Sequence, residues 1–273
     1  MIIDSHAHIG RILTFNLPVR HVLYSMEKYG VDFSLVSNIE STEFYLEGRR
    51  LPFFLRKSQY RVLKRTLRAV KKHPDKLGVL IWLRINSETP DEKLARLIEQ
   101  NRQYIYGIKL HPYHSETAPD SPKLKPVYDL ARRFSLPVVS HTANNEFAST
   151  QRLFNAAKAN PDINFVAVHM DLDSGNREAI DLISQLPNLY GDTTWVPIES
   201  TLYAIEKCGS EKILFGTDNP IDGKDTLLLN RAGQRALSQE YFNEFKTMVS
   251  AGDYDNIMYK NAERLFNIKL SVK

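Results

Sequence analysis

The sequence predicts a (β/α)8 TIM barrel, an α/β fold in which eight parallel strands alternate with helices. Its length of 273 residues suits one such barrel, which takes about 250 residues. Eight short runs rich in β-branched and aromatic residues recur along the chain, and the segments between them have helical periodicity. A regular strand-then-helix order is typical of a parallel sheet closed into a barrel. A doubly wound open sheet is the alternative, but it accommodates eight regular units less naturally.

The predicted strands are all short and apolar. They span residues 1–5, 32–37, 77–83, 105–110, 136–140, 163–168, 189–192 and 212–216. The clearest helical periodicity between them covers residues 90–104, 124–134 and 150–160. Strand and helix therefore alternate through most of the chain.

One connection, residues 38–76, is much longer than the others and carries aromatic and basic side chains. They include Phe44, Tyr45, Arg49, Arg50, Phe53 and Phe54. Insertions in barrels usually lie at the carboxyl ends of the strands, where active sites form, so this segment is a candidate lid. No Gly/Ser-rich linker occurs, which predicts a single domain over residues 1–273 with a helical extension over 237–268.

The composition excludes several classes of protein. With 42% hydrophobic residues, 25% charged residues and one cysteine, the chain is neither collagen-like, low-complexity nor a disulfide framework. Its longest apolar run, 77–83, is far shorter than the ~20 residues of a membrane helix, so we expect no membrane partner. The chain opens without a charged and apolar leader, which predicts a cytoplasmic location.

Positive charge is concentrated in residues 49–72, which contain ten lysines or arginines and no acidic residue. Leu63, Leu67 and Val70 recur there at helical spacing while cations take the other face, which is typical of a solvated amphipathic helix. The alternative is a surface that attracts an anionic substrate or nucleic acid phosphates.

Histidines are placed at strand ends. Five of the eight, His6, His8, His111, His141 and His169, fall at or just after the ends of predicted strands, and Asp218 ends the eighth strand in the same way. The carboxyl ends of barrel strands meet at one mouth, so these side chains can converge. The three other histidines, His21, His73 and His114, lie in helix or loop contexts and are predicted to be on the surface.

The pattern of these side chains indicates a metal site. His6 and His8 are two residues apart, which puts both imidazoles on one face of a strand. His141 could add a third nitrogen and Asp218 an oxygen, a donor set that suits Zn²⁺ better than Fe²⁺, Mn²⁺ or Co²⁺. A single histidine is more often a hydrogen-bonded core residue, which is how we interpret His111 taken alone. The prediction therefore rests on the whole set.

Six motifs together resemble those of the amidohydrolase superfamily. They are IDSHAH (3–8), GIKLHP (107–112), LPVVSHT (136–142), VH (168–169), FGTDNP (215–220) and NAERLF (261–266). The resemblance covers nearly the whole chain in the right order. It is nearest to the amidohydrolase-related (amidohydrolase 2) branch of TIM-barrel metal-dependent hydrolases and decarboxylases.

The resemblance implies that His6, His8, His141 and Asp218 are metal ligands. It implies that His169 is either a further ligand or a partner of the reacting group. In some branches a lysine at the position of Lys109 is carboxylated and bridges two metals, whereas a plain Lys109 cation would bind a substrate carboxylate. The expected cofactor is thus zinc, as one ion or two.

The leading functional hypothesis is a metal-dependent hydrolase that uses metal-activated water to cleave a C–O or C–N bond. Its substrate would be a small, anionic lactone, ester or cyclic amide. Asp218 would accept the proton of the water, and His169 would orient the water or stabilise the oxyanion. The candidate substrate-binding residues are Arg11, Arg84, Lys109, His111 and Trp195.

Three alternatives remain open at this stage. The first is non-oxidative decarboxylation of an unsaturated or aromatic acid at the same site. The second is a TatD-like metal-dependent DNase. It is disfavoured because residues 107–111 read GIKLH and lack the acidic pattern of that branch, so a nucleic acid partner is disfavoured as well. A non-catalytic metal-binding barrel is the third, since fold does not fix function. Assembly into a homo-oligomer is also open.

Overall fold

The computed structural model describes residues 1–221 and 238–270. The strands in these ranges are β1 (Ile3–Ile12), β2 (Phe15–Leu17), β3 (Phe33–Asn38), β4 (Phe44–Leu46), β5 (Arg49–Arg50), β6 (Leu77–Trp82), β7 (Ile105–Leu110), β8 (Val138–Ala143), β9 (Phe165–Leu172), β10 (Leu189–Asp192) and β11 (Ile213–Leu214).

Helices separate most of the strands. They are α1 (Val19–Tyr29), α2 (Gln59–Val70), α3 (Glu92–Glu99), α4 (Pro112–Ser115), α5 (Lys125–Phe134), α6 (Thr150–Ala159), α7 (Arg177–Ser184), α8 (Ile198–Cys208), α9 (Ser238–Phe242), α10 (Phe245–Met248), α11 (Ala251–Asp255) and α12 (Asn261–Phe266). A π-helical turn, Asn256–Lys260, leads into α12. None of the helices in the described ranges is long and apolar enough to cross a membrane.

Eight parallel strands form the barrel, in the order β1, β3, β6, β7, β8, β9, β10, β11. The segment that begins with β11 returns to β1 and closes the ring. There the Ser5 amide donates to the Phe215 carbonyl oxygen at 2.9 Å, and the His8 amide donates to the Asn219 carbonyl oxygen at 2.8 Å. The predicted (β/α)8 TIM barrel is confirmed.

The strands are buried on both faces, as expected of a parallel sheet covered by helices. Alternate residues of β3 belong to two different apolar clusters, Phe33 and Leu35 to one and Val36 to the other. The first cluster joins six strands to Ala262 and Phe266 of α12, and the second packs the strands against most of the surrounding helices. The extension after β11 is thus part of the core.

The basic segment forms the predicted amphipathic helix. The Ser58 hydroxyl caps the amino end of α2 by accepting from the Arg61 amide, and Leu63, Leu67 and Val70 are buried. The cations of α2 are exposed, and Arg65 lies 3.1 Å from a carboxylate oxygen of Glu40. The basic face is therefore a solvated surface outside the barrel.

Several predicted elements have other bounds in the structure, among them the strands predicted over 136–140, 163–168 and 212–216. The first strand continues to Ile12 because its end pairs with β2 in an antiparallel ribbon, so His6 and His8 lie inside the strand. The helix predicted over 90–104 ends at Glu99 and is followed by a 3₁₀ turn. The predicted extension over 237–268 is a series of short helices, and its first residue lies outside the described residues.

Candidate metal centre and adjoining cavity

His6, His8 and Asp218 bring three donor atoms together at the carboxyl end of the barrel. The two Nε2 atoms are 3.1 Å apart, and Asp218 Oδ1 lies 2.9 Å from His8 Nε2 and 3.4 Å from His6 Nε2. Atoms that each bind one ion at about 2.0–2.2 Å have separations of this size. Two buried imidazoles and a carboxylate therefore fit a divalent metal ion.

The backbone around Gly216 explains how Asp218 reaches the histidines. A Cβ atom at Gly216 would lie 2.4 Å from Thr194 Oγ1 and 3.2 Å from His6 Cβ, so only glycine allows this close approach. Asp218 itself adopts a left-handed backbone with φ of 64°. Such strained residues persist where surrounding structure fixes them, commonly at functional sites.

Each donor has an outer partner. Ser37 Oγ lies 2.9 Å from His8 Nδ1, and Thr194 Oγ1 lies 3.3 Å from His6 Nδ1. The Trp195 indole N–H donates to Asp218 Oδ2 at 3.0 Å. Trp195, predicted as a wall for the substrate, thus contacts the Asp218 carboxylate and is not among the residues that line the cavity. The sequence interpretation missed Ser37 and Thr194, although both lie at or just after strand ends.

Lys109 is completely buried beside the cluster. Its Nζ lies 2.9 Å from His6 Nε2, and burial lowers its pKa from 10.5 to about 8. Lys109 does not line the cavity, so the structure does not support its predicted contact with a substrate carboxylate. Its position against a ligand nitrogen fits a role at the metal site.

The other three predicted histidines, His111, His141 and His169, lie next to one another along one side of the cluster. The centroid of the His141 ring is 4.0 Å from that of His111 and 4.8 Å from that of His169. His169 Nδ1 donates to the Thr194 carbonyl oxygen at 3.1 Å, which leaves its Nε2 free as an acceptor. His141 and His169 stand outside the tight group of three donors.

Electrostatics separate the carboxylate from the imidazoles. Burial lowers the pKa of His6, His111 and His141 well below the usual value, so these rings are neutral. Burial opposes ionisation of Asp218, but the hydrogen bond that its carboxyl accepts from His8 helps to hold its pKa well below the usual range. Neutral imidazoles and an ionised carboxylate are the protonation states in which these groups bind metals.

A mostly apolar cavity of about 190 Å³ opens beside the cluster. Its lining consists of His8, Ile12, Leu13, Phe15, Ile39, Thr42, Tyr45, Trp82, His111, His114, His141, His169, Leu172, Asp218 and Ile221. In the part of the chain that the structure describes, no lysine or arginine lines it. The described part of the lining therefore offers a substrate an apolar surface and, apart from a bound metal, no fixed positive charge.

The long insertion supplies one wall of this cavity. His114 Nδ1 donates to the Phe44 carbonyl oxygen at 2.7 Å, and the Glu43 amide donates back to the His114 carbonyl oxygen at 3.1 Å. The buried Glu43 carboxylate accepts from the amides of Asn86 and Ser87 at 3.1 and 2.8 Å. These bonds fasten the β4–β5 hairpin, with Tyr45, over the cavity.

The prediction that His114 lies on the surface is wrong. Its ring lines the cavity, and its centroid is 4.3 Å from that of His111. Trp82 was also missed, and its ring stacks on His111 at a centroid distance of 5.0 Å. The GIKLHP motif pointed to His111 and gave no reason to include the histidine three residues later.

The structure does not place the two predicted arginines in the cavity. Arg11 is exposed on β1 and points away from Ile12, which lines the cavity, because neighbouring strand residues face opposite ways. Arg84 is buried, and its guanidinium donates to Glu88 Oε1 at 3.1 Å and to the Lys57 carbonyl oxygen. Both arginines lie outside the cavity lining, contrary to their prediction as carboxylate-binding residues.

Comparison with known families agrees with the motifs. A family model described as amidohydrolase matches residues 3–268. The chain belongs to the amidohydrolase family. No match is found among curated proteins.

Solved structures of other proteins superpose over almost the whole chain. A 5-carboxyvanillate decarboxylase from Sphingomonas paucimobilis has 14% identity and a TM-score of 0.68, covering 98% of this chain and 99% of that one. A dihydroxybenzoic acid decarboxylase from Polaromonas sp. JS666, with bound manganese and the inhibitor 2-nitroresorcinol, has 15% identity and a TM-score of 0.66, covering 97% and 96%. An uncharacterised TIM-barrel protein from Bordetella bronchiseptica has 18% identity and a TM-score of 0.65, covering 97% and 98%. At these identities the likeness shows the shared fold.

Proposed function

We propose that this amidohydrolase-family chain is a metal-dependent enzyme that decarboxylates a small, largely apolar, aromatic or unsaturated acid without oxidation. The observation that carries the proposal is the apolar cavity beside the His6, His8 and Asp218 donors, with no lysine or arginine among its described lining residues. As carbon dioxide leaves, the charge of the compact carboxylate stays with the substrate carbon and spreads over the aromatic or unsaturated system, and apolar surroundings favour that change. Decarboxylases among the structures of the same fold support this choice.

His6, His8 and Asp218 would hold the ion, with the neutral His141 and His169 beside it. When bound, a divalent ion there would act as a Lewis acid toward a substrate carboxylate or carbonyl oxygen. The nitrogen-rich donor set suits zinc, whereas the Polaromonas enzyme contains manganese, so both ions belong in the test. Lys109 touches His6 Nε2, and whether it bridges a second ion is answered by the number of ions bound per chain.

The residues of the chain must also manage one proton. In decarboxylation the bond between the substrate carbon and its carboxyl group breaks, the electron pair stays on that carbon, and a proton takes the place of carbon dioxide. His169 lines the cavity, and because its Nδ1 is bonded to the Thr194 carbonyl oxygen, its Nε2 is the nitrogen that can hold or pass this proton. Trp82 and Tyr45 provide apolar surface for the substrate and exclude water.

Hydrolysis of a lactone, ester or cyclic amide is the second candidate, and the position of Asp218 favours it. Its Oδ1 lies within 3.4 Å of both ligand nitrogens, where a carboxylate could accept a proton from an attacking water. The cations of α2 are exposed outside the cavity, which argues against a nuclease site there.

A paired assay separates the two candidates. The protein is stripped of metal, reconstituted with Zn²⁺ or Mn²⁺, and given aromatic and unsaturated acids together with their methyl esters and related lactones. We expect metal-dependent release of carbon dioxide from at least one acid, and no release by His8→Ala. If the protein hydrolyses an ester or lactone and releases no carbon dioxide, the decarboxylase proposal is wrong and the hydrolase is the better candidate. Full metal loading with no turnover of either class would contradict both.

A further inference from the structure

Asp192 and Thr194 lie behind His6, on the side away from the three donor atoms. The Thr194 hydroxyl donates to Asp192 Oδ2 at 2.8 Å, and Thr194 Oγ1 lies 3.3 Å from His6 Nδ1. Asp192 Oδ2 itself is 3.6 Å from His6 Nδ1, so its link to the ring runs through Thr194. Both residues are completely buried, and neither lines the cavity.

The direction of these bonds determines which His6 nitrogen carries the proton. Because the Thr194 hydroxyl proton is given to the Asp192 carboxylate, its oxygen can only accept from His6 Nδ1–H. On the other side of the ring, the Lys109 amino group donates to His6 Nε2 at 2.9 Å. Both contacts require a proton on Nδ1 and a lone pair on Nε2, which is the nitrogen in the donor cluster.

The same carboxylate also fixes a second histidine of the site. Asp192 Oδ1 accepts from the His169 amide at 2.8 Å and from the Thr194 amide at 3.1 Å. His169 has a left-handed backbone with φ of 72°, a conformation that a non-glycine residue holds only when its surroundings impose it. Asp192 therefore contacts the backbone of His169 and, through Thr194, the ring of His6.

We infer that Asp192 and Thr194 are positioning residues that preset His6 for metal binding. They hold the ring in the tautomer whose Nε2 lone pair faces the ion. This inference rests on the proposed metal site and adds to it residues that touch neither ion nor substrate. Loss of such an outer partner of a metal-binding histidine typically costs about 10- to 100-fold in metal affinity.

The outer partner of His8 can be compared with that of His6. Its Nδ1 faces Ser37 Oγ at 2.9 Å, and a serine hydroxyl can either donate or accept. Unlike the Asp192–Thr194 pair, this partner does not select one tautomer of the ring. Ser37→Ala is thus the matched control for removal of a hydroxyl next to a ligand histidine.

Asp192→Asn tests the inference with almost no change of shape. The amide oxygen of asparagine must stay against the His169 and Thr194 amides, so its NH₂ group replaces Oδ2. The NH₂ then donates to Thr194, the Thr194 hydroxyl turns to donate to His6 Nδ1, and the ring proton moves to Nε2. We expect the ¹⁵N chemical shifts of His6 in metal-free protein to report this exchange, and affinity for Zn²⁺ to fall about 10- to 100-fold.

Substitutions of Thr194 supply a second, independent measurement. Thr194→Val removes the hydroxyl at constant shape and should weaken Zn²⁺ binding, whereas Thr194→Ser should restore most of it. Ser37→Ala should have the smaller effect on affinity. Thermal unfolding and circular dichroism of each variant verify that the fold is kept.

Two results would overturn the inference. One is wild-type Zn²⁺ affinity together with an unchanged His6 tautomer in Asp192→Asn. The other is equal loss of affinity in Thr194→Val and Thr194→Ser, because a structural defect would not distinguish the two. Since the probe is the metal ion alone, failure of the decarboxylase assay would leave these measurements intact. A wild-type chain that binds no Zn²⁺ or Mn²⁺ would contradict the metal site as well.

Discussion

The two ends of the candidate site are built in different ways. At the inner end, His6 and His8 of β1 and Asp218 after β11 are fixed by polar contacts with buried neighbours. At the outer end, Tyr45 and Trp82 form an apolar wall that depends on ring packing and on backbone bonds of the long insertion. The contrast suggests that the inner end holds the chemistry and the outer end selects the substrate. In barrel enzymes the rigid scaffold commonly positions the catalytic residues, and the loops vary with the substrate.

Removal of one donor at the inner end should have the largest effect. Asp218→Asn keeps the shape of the side chain but replaces the ionised oxygen that lies nearest to both ligand nitrogens. We expect metal affinity and turnover each to fall by more than the ~100-fold that loss of an outer partner costs. Elemental analysis and a metal-supplemented activity assay measure the two quantities.

Asp173→Asn, at an exposed carboxylate after β9, is the control for that variant and should match the wild type in both measurements. Full metal content in Asp218→Asn would show that the inner end does not depend on this carboxylate. The inner end could then no longer be described as the metal-binding part of the site.

The inner end was the more predictable from sequence. A strand has a period of two, so His6 and His8 had to share a face, and the barrel topology brings the segment after β11 beside β1. Their outer partners escaped prediction because Ser37 and Thr194 reach the rings from other strands, Ser37 from β3 beside His8 and Thr194 from the end of β10. Serine and threonine occur at many strand ends, so residue type alone does not mark the ones that matter.

The outer end was much less predictable. The insertion was recognised by its length and its aromatic residues, but the hydrogen bonds that hold it join Glu43 and Phe44 to segments far along the chain. For the same reason the partners of Arg84 could not be foreseen, and its cation was assigned to the substrate. Periodicity reports which face of an element is buried, but it carries no information on which loops meet.

A substitution in the outer wall should have an intermediate effect, confined to substrate binding. Tyr45→Ala removes a ring that lines the cavity without touching any of the three donors. We expect KM to rise about tenfold, equivalent to about 1.4 kcal/mol, with metal content unchanged. Tyr45→Phe keeps the ring and should lie close to the wild type. Loss of metal in Tyr45→Ala would mean that the two ends are not independent.

The smallest expected effect concerns pH and the wall histidine His114. Burial lowers the pKa of its imidazole from 6.5 to about 4. Between these values the unfolded chain binds a proton that the folded chain does not, so His114 should make the fold less stable as pH falls from about 6.5 to 4. Because the ring borders an open cavity, water screens this penalty, and we expect about 1 kcal/mol.

His114→Asn isolates that contribution. The asparagine amide can still donate to the Phe44 carbonyl oxygen, which His114 Nδ1 does at 2.7 Å, while the titrating ring is gone. Urea unfolding of metal-free protein at pH 7 and pH 4.5 should therefore show a smaller loss of stability in the variant than in the wild type. Other buried imidazoles, such as His141, also lower the stability of both proteins at acid pH. The difference between the stability losses of the two proteins is therefore the contribution of His114. If the two proteins lose equal stability, then the His114 ring takes up its proton within the folded protein. The outer wall would in that case be open enough to water for its histidines to titrate, unlike the buried His6 ring at the inner end.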